Sequence, residues 1–129
     1  METSQLKRIP LFADTPDEDL KIVSTFAESK EVSEGTEIIK EGAFSNELIA
    51  LEEGTAEVLQ DGQRVAELKQ GDFFGEAGLL EKTQRNASVV ATSTCKLIII
   101  KQWEMHRMKD KLPHLVEEIQ KTLEARRTD

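Results

Sequence analysis

The sequence holds one cysteine, one tryptophan, two histidines, three prolines and no tyrosine. Each scarcity excludes something. A single thiol cannot close an intramolecular disulfide, so this is not a stapled extracellular scaffold, and Cys95 points to a reducing compartment. Both histidines, His106 and His114, fall outside residues 29–101. That stretch therefore lacks the imidazoles that a strand-borne metal centre gathers. No serine or cysteine has a histidine near it in sequence, so a nucleophilic triad leaves no local trace. Long apolar runs are missing too. Leu97-Ile98-Ile99-Ile100 is far short of the ~18 residues a membrane span needs, and Met1-Glu2-Thr3-Ser4 lacks the basic flank of an export signal. The expected location is the cytoplasm, with no membrane partner.

Basic charge is also in short supply. Twenty-five acids against 17 bases give a net charge of −8 and a pI near 4.9. Non-specific nucleic-acid binding depends on basic surface that this chain does not have. The densest basic groups, Arg107 with Lys109 and Lys111, then Arg126-Arg127, sit in expected helices among acids and read as solvated faces. An anionic ligand must approach against the net field, so it needs a local site of specific donors. At 129 residues the chain is expected to be one domain, 1–129.

Three textures divide it. Residues 1–28 read as an N-terminal helical segment. Thr15-Pro16-Asp17-Glu18 carries the marks of a helix start, with Thr15 as cap, Pro16 in the first turn and Glu18 closing a capping box. Residues 29–101 read as strands, and all seven glycines punctuate them. Asp61-Gly62 is a two-residue hairpin signal. Ala87, Val89 and Ala91 alternate as a half-buried strand does, and Leu97 to Ile100 suit a strand buried on both faces. Strands every ~8–12 residues suggest a sandwich or barrel. Residues 102–129 return to helix, first a short one carrying Trp103 and then one after Pro113. There Leu112, Leu115, Val116, Ile119 and Leu123 form an apolar stripe that packs on the barrel, covers a ligand or pairs with a second chain. Trp103 is expected to pack into the core, and Cys95 to be an inert core thiol.

Chemistry concentrates between Gly71 and Ala91. Gly75-Glu76-Ala77-Gly78 is a turn of small residues, and Arg85 follows nine positions after Glu76. A short helix opening at Gly75-Glu76 would aim unpaired backbone N–H groups at an anion. Small side chains let a ligand approach the backbone. Arg85 offers a charged fork for phosphate oxygens. An ionised Glu76 only accepts hydrogen bonds, so it suits a hydroxyl. An anion beside a hydroxyl describes a sugar phosphate. Composition alone leaves the plainer alternative open, a Glu76–Arg85 salt bridge across a turn whose glycines serve only the bends.

The run Phe74-Gly75-Glu76-Ala77-Gly78-Leu79-Leu80, with Arg85-Asn86-Ala87 after it, resembles the phosphate-binding cassette of cyclic nucleotide-binding domains. Leu11-Phe12, Gly35, Glu37-Ile38-Ile39 with Glu41-Gly42, Leu48 to Leu51 before Gly54, and Gly71-Asp72-Phe73-Phe74 match in order, so the resemblance covers nearly the whole chain. It favours the anion site over the plain turn. It implies a mainly β fold with flanking helices: a double-stranded β-helix (jelly-roll) barrel over 29–101 with its cassette at 74–87, an N-terminal helical segment, and two C-terminal helices over 102–129 that act as a lid. It also implies roles. Arg85 and the backbone of Gly78, Asn86 and their neighbours Ala77 and Ala87 would hold the cyclic phosphate. Glu76 with Gly75 would hold the ribose 2′-hydroxyl, and Val58 and Val65 would support the base.

The resemblance has two departures. Where the family usually has Ala, Ser or Thr after the cassette arginine, this chain has Asn86, which leaves the choice of cAMP or cGMP open. Many relatives continue into a helix-turn-helix, whereas this sequence stops at Asp129, so direct DNA binding is not expected. The expected function is a non-enzymatic sensor or regulatory module for a cyclic purine mononucleotide, cAMP first and cGMP second, with no cofactor or metal. Its output would be a homodimer through the C-terminal helix or an unidentified effector. The alternatives are a ligand-free interaction domain on the same fold, and a metal-dependent jelly-roll enzyme, which the absence of strand histidines disfavours.

Overall fold

The computed structural model describes residues 2–42, 47–74, 87–118 and 121, with the side chains of Leu11 and Gln102 left aside. Its β region is a long hairpin folded over on itself. The eight strands are β1 (Glu28–Val32), β2 (Glu37–Ile39), β3 (Glu47–Glu53), β4 (Ala56–Gln60), β5 (Gln63–Leu68), β6 (Phe73–Phe74), β7 (Ser88–Ala91) and β8 (Cys95–Lys101). They pair as β4 with β5, β3 with β6, β2 with β7 and β1 with β8, all antiparallel. At the innermost point Gln60 faces Gln63 across Asp61-Gly62. Both turn residues have positive φ, +53° and +79°, the conformation a two-residue primed turn demands and that Asp-Gly supplies. Each nested pair then steps from one sheet to the other. The result is two four-stranded sheets, β1-β8-β3-β6 and β2-β7-β4-β5, the double-sheet arrangement of a jelly roll.

Two cores follow from this layering. Between the sheets lie Ile49, Leu51, Phe74, Leu97 and Ile99 from the first and Ile39, Ala56, Leu68, Val89 and Ala91 from the second. On the outer side of the first sheet Leu48, Ala50, Ile98 and Ile100 pack against the helices. β3 and β8, adjacent over most of their length, thus form a wall with a core on each face. That is why Leu97 to Ile100 are all buried and show no alternation.

The helices occupy the outer face. α1 (Thr3–Lys7), a 3₁₀ turn at Pro10–Phe12 and α2 (Asp17–Phe26) precede the strands; α3 (Gln102–Lys111) follows them, and residues 113–118 are helical again. Leu6, Ile9, Phe12, Leu20, Val23 and Phe26 meet Met105, Met108, Leu115 and Val116 in one cluster. The start of the C-terminal stripe is therefore docked on the N-terminal segment; Ile119 and Leu123 lie outside the described residues. Among the described residues no helix is long and apolar enough to cross a membrane.

Two expectations need correction. Thr15 does not cap α2. The helix begins at Asp17 with Pro16 at the cap position, and no side chain bonds its end. Pro16 has an extended ψ of 147°, and its carbonyl takes the first helical bond, from the Leu20 N–H at 2.9 Å. Asp17, Glu18 and Asp19 in the first turn supply favourable charge for the helix dipole instead. Trp103 is not a core residue. It is 50% exposed, its ring lies 5.0 Å from Lys101 Nζ and its indole N–H donates to Glu104. Met105 and Met108 anchor α3 in its place. The period of 3.6 puts positions 105 and 108 on the inner face, with 103 off it.

Candidate functional site

The sequence places the cassette between β6 and β7, which belong to opposite sheets. Gly75, Glu76, Ala77, Gly78, Arg85 and Asn86 lie outside the described residues; the structure describes what they are tethered to. On one side Phe74 closes β6, buried between the sheets and facing Ile49 of β3. On the other, Ala87 is half-buried and leads into Ser88 and the buried Val89. Phe74 and Val89 belong to the inner core, which also takes in Val58 at its edge. Val58 pairs with Val89. A base resting on Val58 would therefore sit one strand away from the end of the cassette. Val65 stands on the neighbouring strand and is 57% exposed. It is passed over where the β4–β5 register shifts between Val58 and Leu59, as the extra residue of a bulge is.

A second set of contacts pins the strand ends here. The Glu41 N–H donates to Ser88 Oγ at 2.9 Å, and the Glu41 carboxylate accepts from the Asp61 N–H at 3.2 Å. The β2–β3 link, the start of β7 and the hairpin tip are thereby held together. Sequence reasoning marked Glu41 only as a position before Gly42 and gave Ser88 no role; a backbone N–H and a hydroxyl 47 residues apart carry no local signal.

The larger omission is Glu52. It is 3% exposed, the one buried charged residue among those described. The β3–β8 register shifts between Leu51 and Glu53, leaving Glu52 unmatched, and a bulge of this kind re-aims a side chain. Its carboxylate accepts from the Gln5 side-chain amide at 3.2 and 3.4 Å and from Arg8 Nη1 at 3.4 Å. Arg8 Nη1 also bonds Glu53 at 3.0 Å, with Lys96 3.7 Å from the other oxygen. The Arg8 hydrogen bond, then the Lys96 charge, hold the Glu53 carboxyl below its ordinary range. In the sequence Glu52-Glu53 reads as the polar end of a strand, and only a register irregularity separates the buried acid from the exposed one.

Other singled-out residues fall as follows. Cys95 is buried, and its thiol lies 3.2 Å from the Thr55 carbonyl. His106 and His114 are exposed on the helical side. Among the described residues no group of three or more His, Cys, Asp or Glu is arranged to hold a metal ion. A cleft of about 340 Å³ at the helical end sets His114 against three acids, Asp14, Asp19 and Glu118, with Pro10, Thr15, Pro16 and Leu115 completing its lining.

Known proteins align with this arrangement. Residues 29–111 match the family model of the cyclic nucleotide-binding domain. A cAMP-dependent protein kinase regulatory subunit from Yarrowia lipolytica is 36% identical over 94 residues, 71% of this chain and 25% of that protein. The catabolite activator protein of Thermus thermophilus superposes with a TM-score of 0.82 at 27% identity, covering 92% of this chain and 58% of that one. The cAMP-bound structure of PfPKA-R (141–441) superposes at 0.80 with 25% identity, covering 92% and 41%. The chain thus spans about a quarter of the Yarrowia relative's length.

Proposed function

The chain belongs to the cyclic nucleotide-binding domain family, and from that premise we propose that it is a regulatory sensor binding one cyclic purine mononucleotide, cAMP in the first instance. The observation that carries the reading is the 74–87 cassette sequence, which runs from the buried Phe74 at the end of β6 to the half-buried start of β7 in the opposite sheet. Arg85 and the backbone N–H groups around Gly78 and Asn86 take the cyclic phosphate. Glu76 and Gly75 take the ribose hydroxyl. Val58 and Val65 support the base. A charged fork, open N–H groups and an acceptor-only carboxylate match the donors and acceptors of a cyclic ribose phosphate. The cAMP-bound relative supports the choice of ligand. The role needs no chemistry on the ligand, and no enzymatic step is assigned.

A ligand that binds only the folded state raises its melting temperature by mass action. Millimolar cAMP or cGMP is therefore expected to shift the melting curve upward; curves unmoved by both nucleotides would remove the proposal.

The C-terminal helices are the proposed output. Met105, Met108, Leu115 and Val116 share one core with the N-terminal segment, so movement at either end must repack that core. A ligand biases such a movement only through its differential affinity for the two arrangements. Trp103, half-exposed at the start of α3, reports it. Its emission is expected to change as cAMP saturates the site. An unchanged spectrum alongside a raised melting temperature would mean binding without this coupling.

A further inference from the structure

We infer that Glu52, held by Arg8 and Gln5, is a positioning residue for the nucleotide site, through which the N-terminal segment steadies the stem of the cassette. The inference rests on the nucleotide-binding reading above. A carboxylate removed from water is costly unless paired, yet the bulge in β3 turns this one inward onto α1. Its hydrogen-bond donors among the described residues, Gln5 and Arg8, both come from the N-terminal segment. The segment and the bulge therefore hold one another.

What the clamp holds leads directly to the cassette. Beside Glu52, the Leu51 N–H donates to the Asp72 carbonyl and the Leu51 carbonyl accepts from the Gly71 N–H, both at 2.8 Å. The Pro10 ring closes over the same turn: a Cβ at Gly71 would lie 3.2 Å from Pro10 Cδ. Phe73 and Phe74 follow, pairing with Ala50 and Ile49 of β3, and Gly75 is next in sequence. The segment thus grips β3 through Glu52 and the 69–72 turn through Pro10. No atom of the clamp need touch the ligand. Without it the stem is less ordered before binding, and a site that must be ordered on binding loses affinity.

The test is cAMP affinity and release rate on purified Arg8→Ala, Arg8→Lys and Glu53→Gln proteins, with amide exchange at residues 71–74. Arg8→Ala is expected to weaken binding about three- to tenfold, to speed release, and to lose protection selectively at 71–74. Arg8→Lys should recover most of the loss. Glu53→Gln, which removes only the charge of the exposed acceptor, should stay within about twofold of the parent. If Arg8→Ala does not fold, Gln5→Ala carries the same expectation. A lowered melting temperature with unchanged affinity and unchanged 71–74 protection makes the clamp merely structural and overturns the inference. Arg85→Ala, run alongside, separates the two failures: if it too leaves affinity intact, the nucleotide-site reading has fallen and this inference with it.

Discussion

Gly54→Ala is expected to destabilise the fold by about 2–6 kcal/mol, although it adds a single methyl group. Gly54 ends the β3 side of a crossing between sheets with φ at +103°, where an L side chain is strained. A Cβ there would lie 2.7 Å from the Thr94 carbonyl oxygen, 2.8 Å from Cys95 Sγ and 3.0 Å from Cys95 Cα. Two of those atoms are backbone next to the buried strand β8, so the conflict is not relieved by rotating a side chain. The matched control is Gly62→Ala. Gly62 also has positive φ, +79°, but a Cβ there meets nothing within 4 Å, leaving only the conformational cost of about 1–2 kcal/mol. Thermal melts should show Gly54→Ala falling by roughly 10–20 °C and Gly62→Ala by much less. Equal losses would mean that the close approach of the two crossings is not a constraint on the fold.

Arg85→Ala is expected to abolish most nucleotide affinity while leaving the apo melting temperature near that of the parent. Losing a charge-assisted contact to phosphate costs about 1.5–3 kcal/mol, about ten- to a hundredfold in affinity. The loss bears hardest here because the chain carries a net charge of −8. Arg85→Lys should recover part of the affinity, keeping the charge but not the planar fork. Parent-like binding by Arg85→Ala would show that the phosphate sits elsewhere.

The fold was largely legible because its signals are local. Asp61-Gly62 announces the innermost hairpin, and Leu97 to Ile100 announce a strand with no solvent face. The nesting of four pairs around that hairpin was not written in any one segment; it emerges from pairings as distant as Glu28 with Ile99. The cassette residues were legible as a pattern of donors, acceptors and glycines. What holds their ends was not, since Glu41 with Ser88 and Arg8 with Glu52 join residues more than 40 positions apart. Thr15 misled because its capping pattern sets Pro16 in the first helical turn, whereas Pro16 keeps an extended ψ of 147° and takes the cap position itself. Trp103 misled because the resemblance implies an aromatic there that anchors the helix on the barrel, while helical phase places it off the packed face.

The most direct test of the account is calorimetric titration of the purified chain with cAMP, cGMP and 5′-AMP. The account predicts saturable binding of at least one cyclic nucleotide at one site per chain, with the open monophosphate much weaker. It also predicts a negative heat-capacity change from apolar surface buried around the base. Heats indistinguishable from dilution for both cyclic nucleotides at millimolar concentration would contradict it.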